Sequence, residues 1–268
     1  MEKPNQAAER VLTLSGDANT VVRNPNSTVA PPREDARSGA RVLELLQRLA
    51  RPPPAVEEET LLGQGGMGVV HLATQLPLGR KVAVKRLQPA HTSLEDIESL
   101  LSESWLSGSL EHPNIIPIYD LGLDAAGLPV LVMKRIEGLS WGTLLRDPDA
   151  MSRHAPGRSP LEANLRILMQ VCNALHYAHA RGVVHRDVKP DNVMVGSFGE
   201  VYLVDWGIAA PPGPSRQLAG TPVYMAPEML GGDHAVISAQ TDVYLLGSVL
   251  CELLTGQPPH DEIGRAHV

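Results

Sequence analysis

Only two cysteines, Cys172 and Cys251, occur in the 268 residues. Both fall inside helical patterns, which excludes a disulfide framework and points to a reducing compartment, so the expected location is cytoplasmic. Long apolar runs are also missing, which leaves no candidate for a bilayer-spanning helix. The longest run, Val243 to Leu254, is broken by Gly247, Ser248 and Glu252 and reads as a buried helix. Glu2, Asn5, Gln6 and Glu9 stand where a signal peptide would need an apolar region. Basic residues are in deficit: a net charge of −7 gives no reason to expect nucleic acid as a partner. Internal repeats are absent as well. What is present is a hydrophobic content of 43%, enough to bury the core of one large domain or two modest ones.

Residues 1–55 are rich in Pro, Asn, Ser, Thr and Arg and bury little apolar surface, so they are expected to be a disordered extension. Within it, Val42, Leu45, Leu46 and Leu49 recur at helical spacing, and Pro52-Pro53-Pro54 stops the pattern. The expectation is a short amphipathic helix, lying on the following domain or fraying in solvent. A docking or regulatory element is the alternative.

Further on, Val183 to Val195 holds two Val-rich runs around the polar loop His185-Arg186-Asp187-Val188-Lys189-Pro190-Asp191-Asn192. Val-rich runs read as strands and Lys-Pro-Asp-Asn as a turn. A carboxylate, an ammonium and an amide are thereby held between two anchored segments. That combination suits phosphoryl transfer, in which a protein chiefly positions groups and neutralises charge. Upstream, Gly63, Gly65 and Gly68 form a G-x-G-x-x-G pattern in Gly63-Gln64-Gly65-Gly66-Met67-Gly68. Glycines there let the backbone approach phosphates closely. Because Val69-Val70-His71-Leu72 continues as a strand, the pattern is a strand–turn–strand hairpin rather than the helix opening of a dinucleotide fold. Lys81-Val82-Ala83-Val84-Lys85 follows as an alternating strand. Ser93-x-x-Asp96 is a variant capping box that starts a helix carrying Leu94, Ile97, Leu101 and Trp105. Ile115–Leu121 and Val130–Met133 read as strands joined by the turn Asp124–Gly127. Ser159-Pro160-Leu161-Glu162 starts a further helix, with Leu161, Leu165, Leu168, Cys172 and Leu175 as its expected core face and Gly182 as its terminator. Cys172, His176 and His179 share that helix's spacing but make an incomplete soft-ligand set, so a metal there is not expected. Asp242, in the apolar helix begun by Ser238 and ended by Gly256, is a buried carboxylate that must be hydrogen-bonded.

These stretches together resemble the eukaryotic-like serine/threonine protein kinases of bacteria. The loop at 185–192 resembles H-R-D-x-x-x-x-N, Val82–Lys85 resembles V-A-I-K, Asp205-Trp206-Gly207 resembles D-F-G with Trp for Phe, and Ala226-Pro227-Glu228 resembles A-P-E. The match runs from about Glu59 to Pro259 with five motifs in order. The resemblance implies an α+β, bilobal fold. Residues 56–135 would form an N-lobe of five antiparallel strands and one helix, and 136–261 a mainly helical, incomplete C-lobe. It further implies that Gly63 to Gly68 cover the phosphates of ATP and that Lys85 meets the α- and β-phosphates. Val70, Ala83, Met133, Arg135, Ile136 and Met194 would line the adenine pocket. Glu103, nine residues before His112, would pair with Lys85, although Glu95 and Glu98 carry the same charge on the same helix.

Asp187 would serve as the base and Lys189 would screen the moving phosphoryl group. Asn192 and Asp205 would hold Mg2+, with Mn2+ as a substitute, and Asp242 would brace the catalytic loop. Arg186 would read a phosphate on the activation loop, where Ser215 is the only hydroxyl between Gly207 and Gly220. A short loop stiffened by Pro211, Pro212 and Pro214 is the equal alternative. The expected partners are ATP, protein substrates with Ser or Thr, and a second copy for autophosphorylation; a membrane anchor is left open. Two rivals remain: a catalytically dead ATP-binding scaffold, and a small-molecule kinase of related fold, against which Lys189 and the A-P-E segment argue. Family members continue with further helices beyond His260, and Glu262 to Val268 resembles a translated sequencing adapter. Glu228 is therefore expected to lack its arginine, and the chain as written to bind ATP weakly, turn over poorly and aggregate.

Overall fold

The computed structural model describes residues 42–44, 46–47, 49, 53–65, 68–215, 218–231 and 235–260. The expectations for residues 1–41 and 262–268, for Leu45, and for Gly66 and Met67 as phosphate-loop residues lie outside the described residues. Two compact units are formed. The described residues 42–109 and 117–135 make the first, and 110–116 and 136–260 the second.

Strands β1 (Val56–Gln64), β2 (Gly68–Gln75), β3 (Arg80–Leu87), β4 (Ile118–Leu123) and β5 (Pro129–Lys134) form one antiparallel sheet in the order β1-β2-β3-β5-β4. Side chains alternate across a strand, so Ala73, Val82, Val84, Val130 and Val132 cluster on one face. Lys85 and Ala83 then fall on the opposite face from Val82 and Val84. The β3 register sets Lys85 beside Val70 and Leu131, and Ala83 beside Leu72 and Met133.

Helix α1 (Leu94–Ser109) starts as its capping box predicts. The Asp96 amide donates to Ser93 Oγ at 3.2 Å, and the Ser93 amide donates to Asp96 Oδ2 at 3.1 Å. Residues Val42, Leu46 and Leu49 are buried against Ile97 and Leu101 of this helix. The N-terminal amphipathic stretch is therefore seated on the domain.

Two boundaries differ from expectation. β4 begins at Ile118, after Pro117, not at Ile115. Residues 110–116 join the second unit because they pair there: Ile115 bridges Leu203 in parallel, and the Leu203 amide donates to Asn114 O at 2.8 Å.

The second unit contains β6 (Gly138–Ser140), α2 (Trp141–Arg146), α3 (Pro148–His154), α4 (Pro160–His179), β7 (Val193–Gly196), β8 (Val201–Leu203), β9 (Gly213–Pro214), β10 (Val236–Ile237) and α5 (Ala239–Thr255). β6, β7 and β8 form a small sheet, and β9 pairs with β10. Ser159 caps α4 and Ser238 caps α5, as expected. The core face of α4 is a correction. Ala163, Ile167, Val171, Ala174, Leu175 and Ala178 are buried, whereas Leu161, Leu165 and Cys172 are exposed. Both sets repeat at helical spacing. Apart from Leu175, which belongs to both sets, the buried apolar set is small or β-branched, with three alanines, which lets the helix sit close to its neighbours. Gly182 has φ +70 but lies two residues beyond the cap at Ala180. No helix among the described residues is long and apolar enough to cross a membrane.

Candidate active site

In the first unit, the glycine hairpin is closed by the Gly65 amide donating to Gly68 O at 2.9 Å, and Gln88 Nε2 donates to Gly65 O at 2.6 Å. A Cβ built on Gly63 would meet nothing within 4 Å, and one on Gly65 only Gly68 O at 4.0 Å. These positions face open space of the kind a triphosphate needs. Gly68 is different: its Cβ would stand 3.0 Å from Arg86 O and 3.4 Å from Lys85 Cε. Glycine there keeps the lysine stem free to extend. Gln64 is exposed and donates through Nε2 to Gln88 Oε1 at 3.1 Å.

Lys85 Nζ donates to both oxygens of Glu103, at 2.6 and 2.7 Å. Of the three helix carboxylates that compete on charge, the structure brings Glu103 to the lysine. Glu98 is buried elsewhere, its Oε2 without a hydrogen-bond partner among the described residues. Val70 is half-buried on β2, Ala83 is buried on β3, and Met133 sits near the end of β5. Arg135 is the last residue of this unit, and at Ile136 the chain returns to the second.

In the second unit, Asp187, Lys189 and Asn192 form one buried knot with Thr221. Asn192 Nδ2 donates to Asp187 Oδ2 and to Asp187 O, both at 2.8 Å. Lys189 Nζ stands 3.1 Å from Asp187 Oδ2 and donates to Thr221 Oγ1 at 2.7 Å. Thr221 in turn donates to Asp187 Oδ1 at 2.6 Å. A hydroxyl therefore already sits on the carboxylate oxygen in the manner required of an acceptor alcohol. Gly220, just before it, has φ +129, and a Cβ there would stand 2.5 Å from Met229 Cε and 3.1 Å from Arg186 O. Only glycine brings Thr221 in so closely.

The loop is braced from below. Asp242, with no exposed surface, accepts from the backbone amides of His185 and Arg186, each at 2.8 Å, and bonds His179 Nε2 at 2.7 Å. His179 was missed from the sequence, since nothing local marks a contact 63 residues away. It also accounts for one member of the Cys172, His176, His179 set, and no group of three metal-type side chains occurs among the described residues. Asp205 is exposed, with a positive φ of 64, and Val204, beside it, donates its amide to Asn192 O at 2.9 Å. Asn192 spends Nδ2 on Asp187, so its amide oxygen is the atom left to join the Asp205 carboxylate. Two hard oxygen donors fit Mg2+, which keeps several waters and takes one or two protein ligands plus phosphate.

Trp206 is buried, edge-on to His185 with ring centroids 4.5 Å apart; its Nε1 has no hydrogen-bond partner among the described residues. Met194, half-buried on β7, pairs with Tyr202 of β8. Arg186 is buried with φ 71. Its Nη1 donates to Ile208 O at 3.4 Å, while Nε and Nη2 have no partner among the described residues. Burial lowers its pKa, against the opposing charge of Asp242. Ser215 donates its amide to Ala235 O at 2.9 Å, beside the β9–β10 pair. Glu228, expected to lack an arginine partner, accepts from Thr241 Oγ1 at 2.7 Å.

Comparison with known proteins agrees with this geometry. Residues 56–267 match the protein kinase domain. The chain is 37% identical over 211 residues to serine/threonine-protein kinase PknB of Mycobacterium leprae, covering 74% of this chain and 32% of the relative. It is 34% identical over 229 residues to serine/threonine-protein kinase PknD of Chlamydia abortus, covering 75% of this chain and 24% of that relative. A PknD from Chlamydia muridarum is 34% identical over 237 residues. The chain thus spans about a third or less of the length of the curated relatives it matches. With its five-stranded antiparallel sheet, its lysine–glutamate pair and its Asp-Lys-Asn loop, the chain belongs to the protein kinases, among the bacterial serine/threonine kinases of the Hanks type.

Proposed function

We propose that the chain transfers the γ-phosphoryl group of ATP to Ser or Thr hydroxyls of protein substrates. The observation that carries this is the Asp187–Thr221 hydrogen bond at 2.6 Å, inside a knot that also holds Lys189 and Asn192. The substrate hydroxyl oxygen forms the new bond to phosphorus as the β–γ bridging P–O bond breaks. ADP leaves with that electron pair, and the hydroxyl proton passes to Asp187. Lys189 screens the transferring charge. Lys85, fixed by Glu103, orients the α- and β-phosphates beneath the Gly63–Gly68 hairpin. Mg2+, held by Asn192 and Asp205, would neutralise charge developing on the phosphates. Within the first unit, Val70, Ala83 and Met133 offer apolar walls for adenine, and the backbone at Arg135 offers its hydrogen-bonding groups.

Asp187→Asn tests the assignment. Nucleotide binding should persist while turnover falls at least about a hundredfold, the scale of losing a positioned acid–base group. Equal turnover in a radiolabelled phosphate assay would overturn it, and a wild type that binds ATP without turnover would favour the scaffold reading. A second proposal concerns control through Ser215. Arg186 Nε and Nη2, which have no partner among the described residues, support an anion beside Arg186, since a phosphate adds up to about two negative charges. Mass spectrometry of active protein should find phosphate on Ser215, and Ser215→Ala should slow turnover. An unmodified Ser215 with an unchanged rate would reject it.

A further inference from the structure

Val42, Leu46 and Leu49 lie outside every motif that phosphoryl transfer uses, yet they contribute to a core. Val42 has no exposed surface, Leu46 and Leu49 are buried, and all three cluster with Ile97 and Leu101 of α1. Leu87, Leu94, Leu121, Leu123 and Leu128 pack around them. Helix α1 is also the helix that carries Glu103. At roughly 100° per residue, Glu103 lies about 160° around the axis from Leu101. One side of the helix thus rests under the N-terminal segment while another side turns its carboxylate to Lys85. The buried hydroxyl of Ser104 adds little hold on the surroundings, because it donates to Leu100 O of its own helix at 2.6 Å. The two bonds from Lys85 Nζ, at 2.6 and 2.7 Å, require one rotation of α1, and a small turn of the helix breaks both.

We propose that Val42, Leu46 and Leu49 are a positioning element for the transfer reaction: their seat on Ile97 and Leu101 holds α1 at the rotation where Glu103 meets Lys85. Leu46 is the central positioning residue. This rests on the reading above, in which Lys85 serves the nucleotide phosphates. Unseating the segment frees α1 to turn, Lys85 loses its carboxylate, and the phosphates lose their orientation.

The test is a double-mutant cycle in the full chain, with turnover expressed per folded molecule from a denaturant titration. Leu46→Asp should raise KM for ATP and lower kcat, each by at least about fivefold, while the volume-conserving Leu46→Met stays near wild type. On a Glu103→Gln background, Leu46→Asp should add less than about twofold, because the pair it protects is already gone. Losses that multiply, or an unchanged KM for ATP, would overturn the proposal. Hydrogen exchange reads the same device without turnover: amides across Leu94–Ser109 should exchange at least about tenfold faster in Leu46→Asp, with β3 unchanged. Unchanged exchange there overturns it too. A wild type that transfers no phosphate refutes only the functional reading, and exchange then decides this inference alone.

Discussion

Thr221 links the two charged residues of the catalytic loop, accepting from Lys189 at 2.7 Å and donating to Asp187 at 2.6 Å. All three side chains are buried, so each polar atom depends on its neighbours rather than on water. Removing the hydroxyl leaves a buried ammonium one acceptor short and a buried carboxylate one donor short. Breaking such a hydrogen bond to charged groups costs about 1.5–3 kcal/mol. Thr221→Val should therefore lower kcat about tenfold or more, leave KM for ATP near wild type, and be largely rescued by Thr221→Ser, as steady-state kinetics would show. A loss of ATP affinity instead would place Thr221 in nucleotide binding. The residue types of this knot are legible in the chain because they stand a few positions apart in one loop. The part Thr221 takes in the knot is not legible there, since its bonds close over more than 30 residues of intervening chain. His179 is not legible at all, for the same reason of distance.

Helix α5 shows what an element adds to its residues. Several polar groups tie it to its neighbours: Asp242 holds the catalytic loop, Thr241 Oγ1 donates to Glu228, Ser248 Oγ donates to Tyr224 O at 3.1 Å, and Glu252 accepts from Tyr224 Oη at 2.8 Å. Burial pushes the Glu252 carboxyl above the usual range, with Asp191 adding to the rise and the Tyr224 hydrogen bond and Arg146 opposing it. Burial likewise raises the Tyr224 phenol, reinforced by Glu252. A carboxyl raised on folding favours the protonated native state. Its contribution is full below the unfolded carboxylate pKa and is lost as pH rises through the raised value. Glu252→Gln keeps an acceptor for Tyr224 without the charge, so its melting temperature should exceed wild type at pH 7 and converge with it near pH 4. A gap that is the same at both pH values would show that ionisation of Glu252 is not the cause. Start signals of the helices were the most legible elements, because Ser159-Pro160-Leu161-Glu162 and Ser93-x-x-Asp96 satisfy amides within one turn. The face of α4 was the least. Leu161, Leu165, Leu168 and Cys172 fit the helical period as well as the alanine-rich set does, and periodicity alone carries no information on which neighbour lies closer.

At the scale of the molecule, the surface that results from this choice of face has its own consequence. On α4, Leu161 is 47% exposed, Leu165 39% and Met169 66%, and they succeed one another at a spacing of four along the helix. On α5, Val243 is 58% exposed and Leu254 64%, so a helix that looked apolar on nearly every side is buried mainly through Leu245 and Val249. Contiguous apolar stripes of this kind favour association over the monomer. Side chains that touch little in the monomer contribute little to its stability: exposed substitutions usually fall within about 0.5 kcal/mol. Replacing Leu161, Leu165 and Met169 together by Gln should therefore shift the melting temperature by no more than about 2–4 °C. Self-association should fall, read as a lower weight-average mass in sedimentation at high concentration. The formal charge of −7 supplies some repulsion at any distance beyond contact, but it is screened over about 8 Å at physiological salt. Association of the wild type should accordingly increase with added salt, and that of the triple variant should respond much less. A triple variant that melts far below wild type would mean that these side chains are packed in the monomer. Equal mass for the two proteins at every salt concentration would remove the stripe as the cause of association.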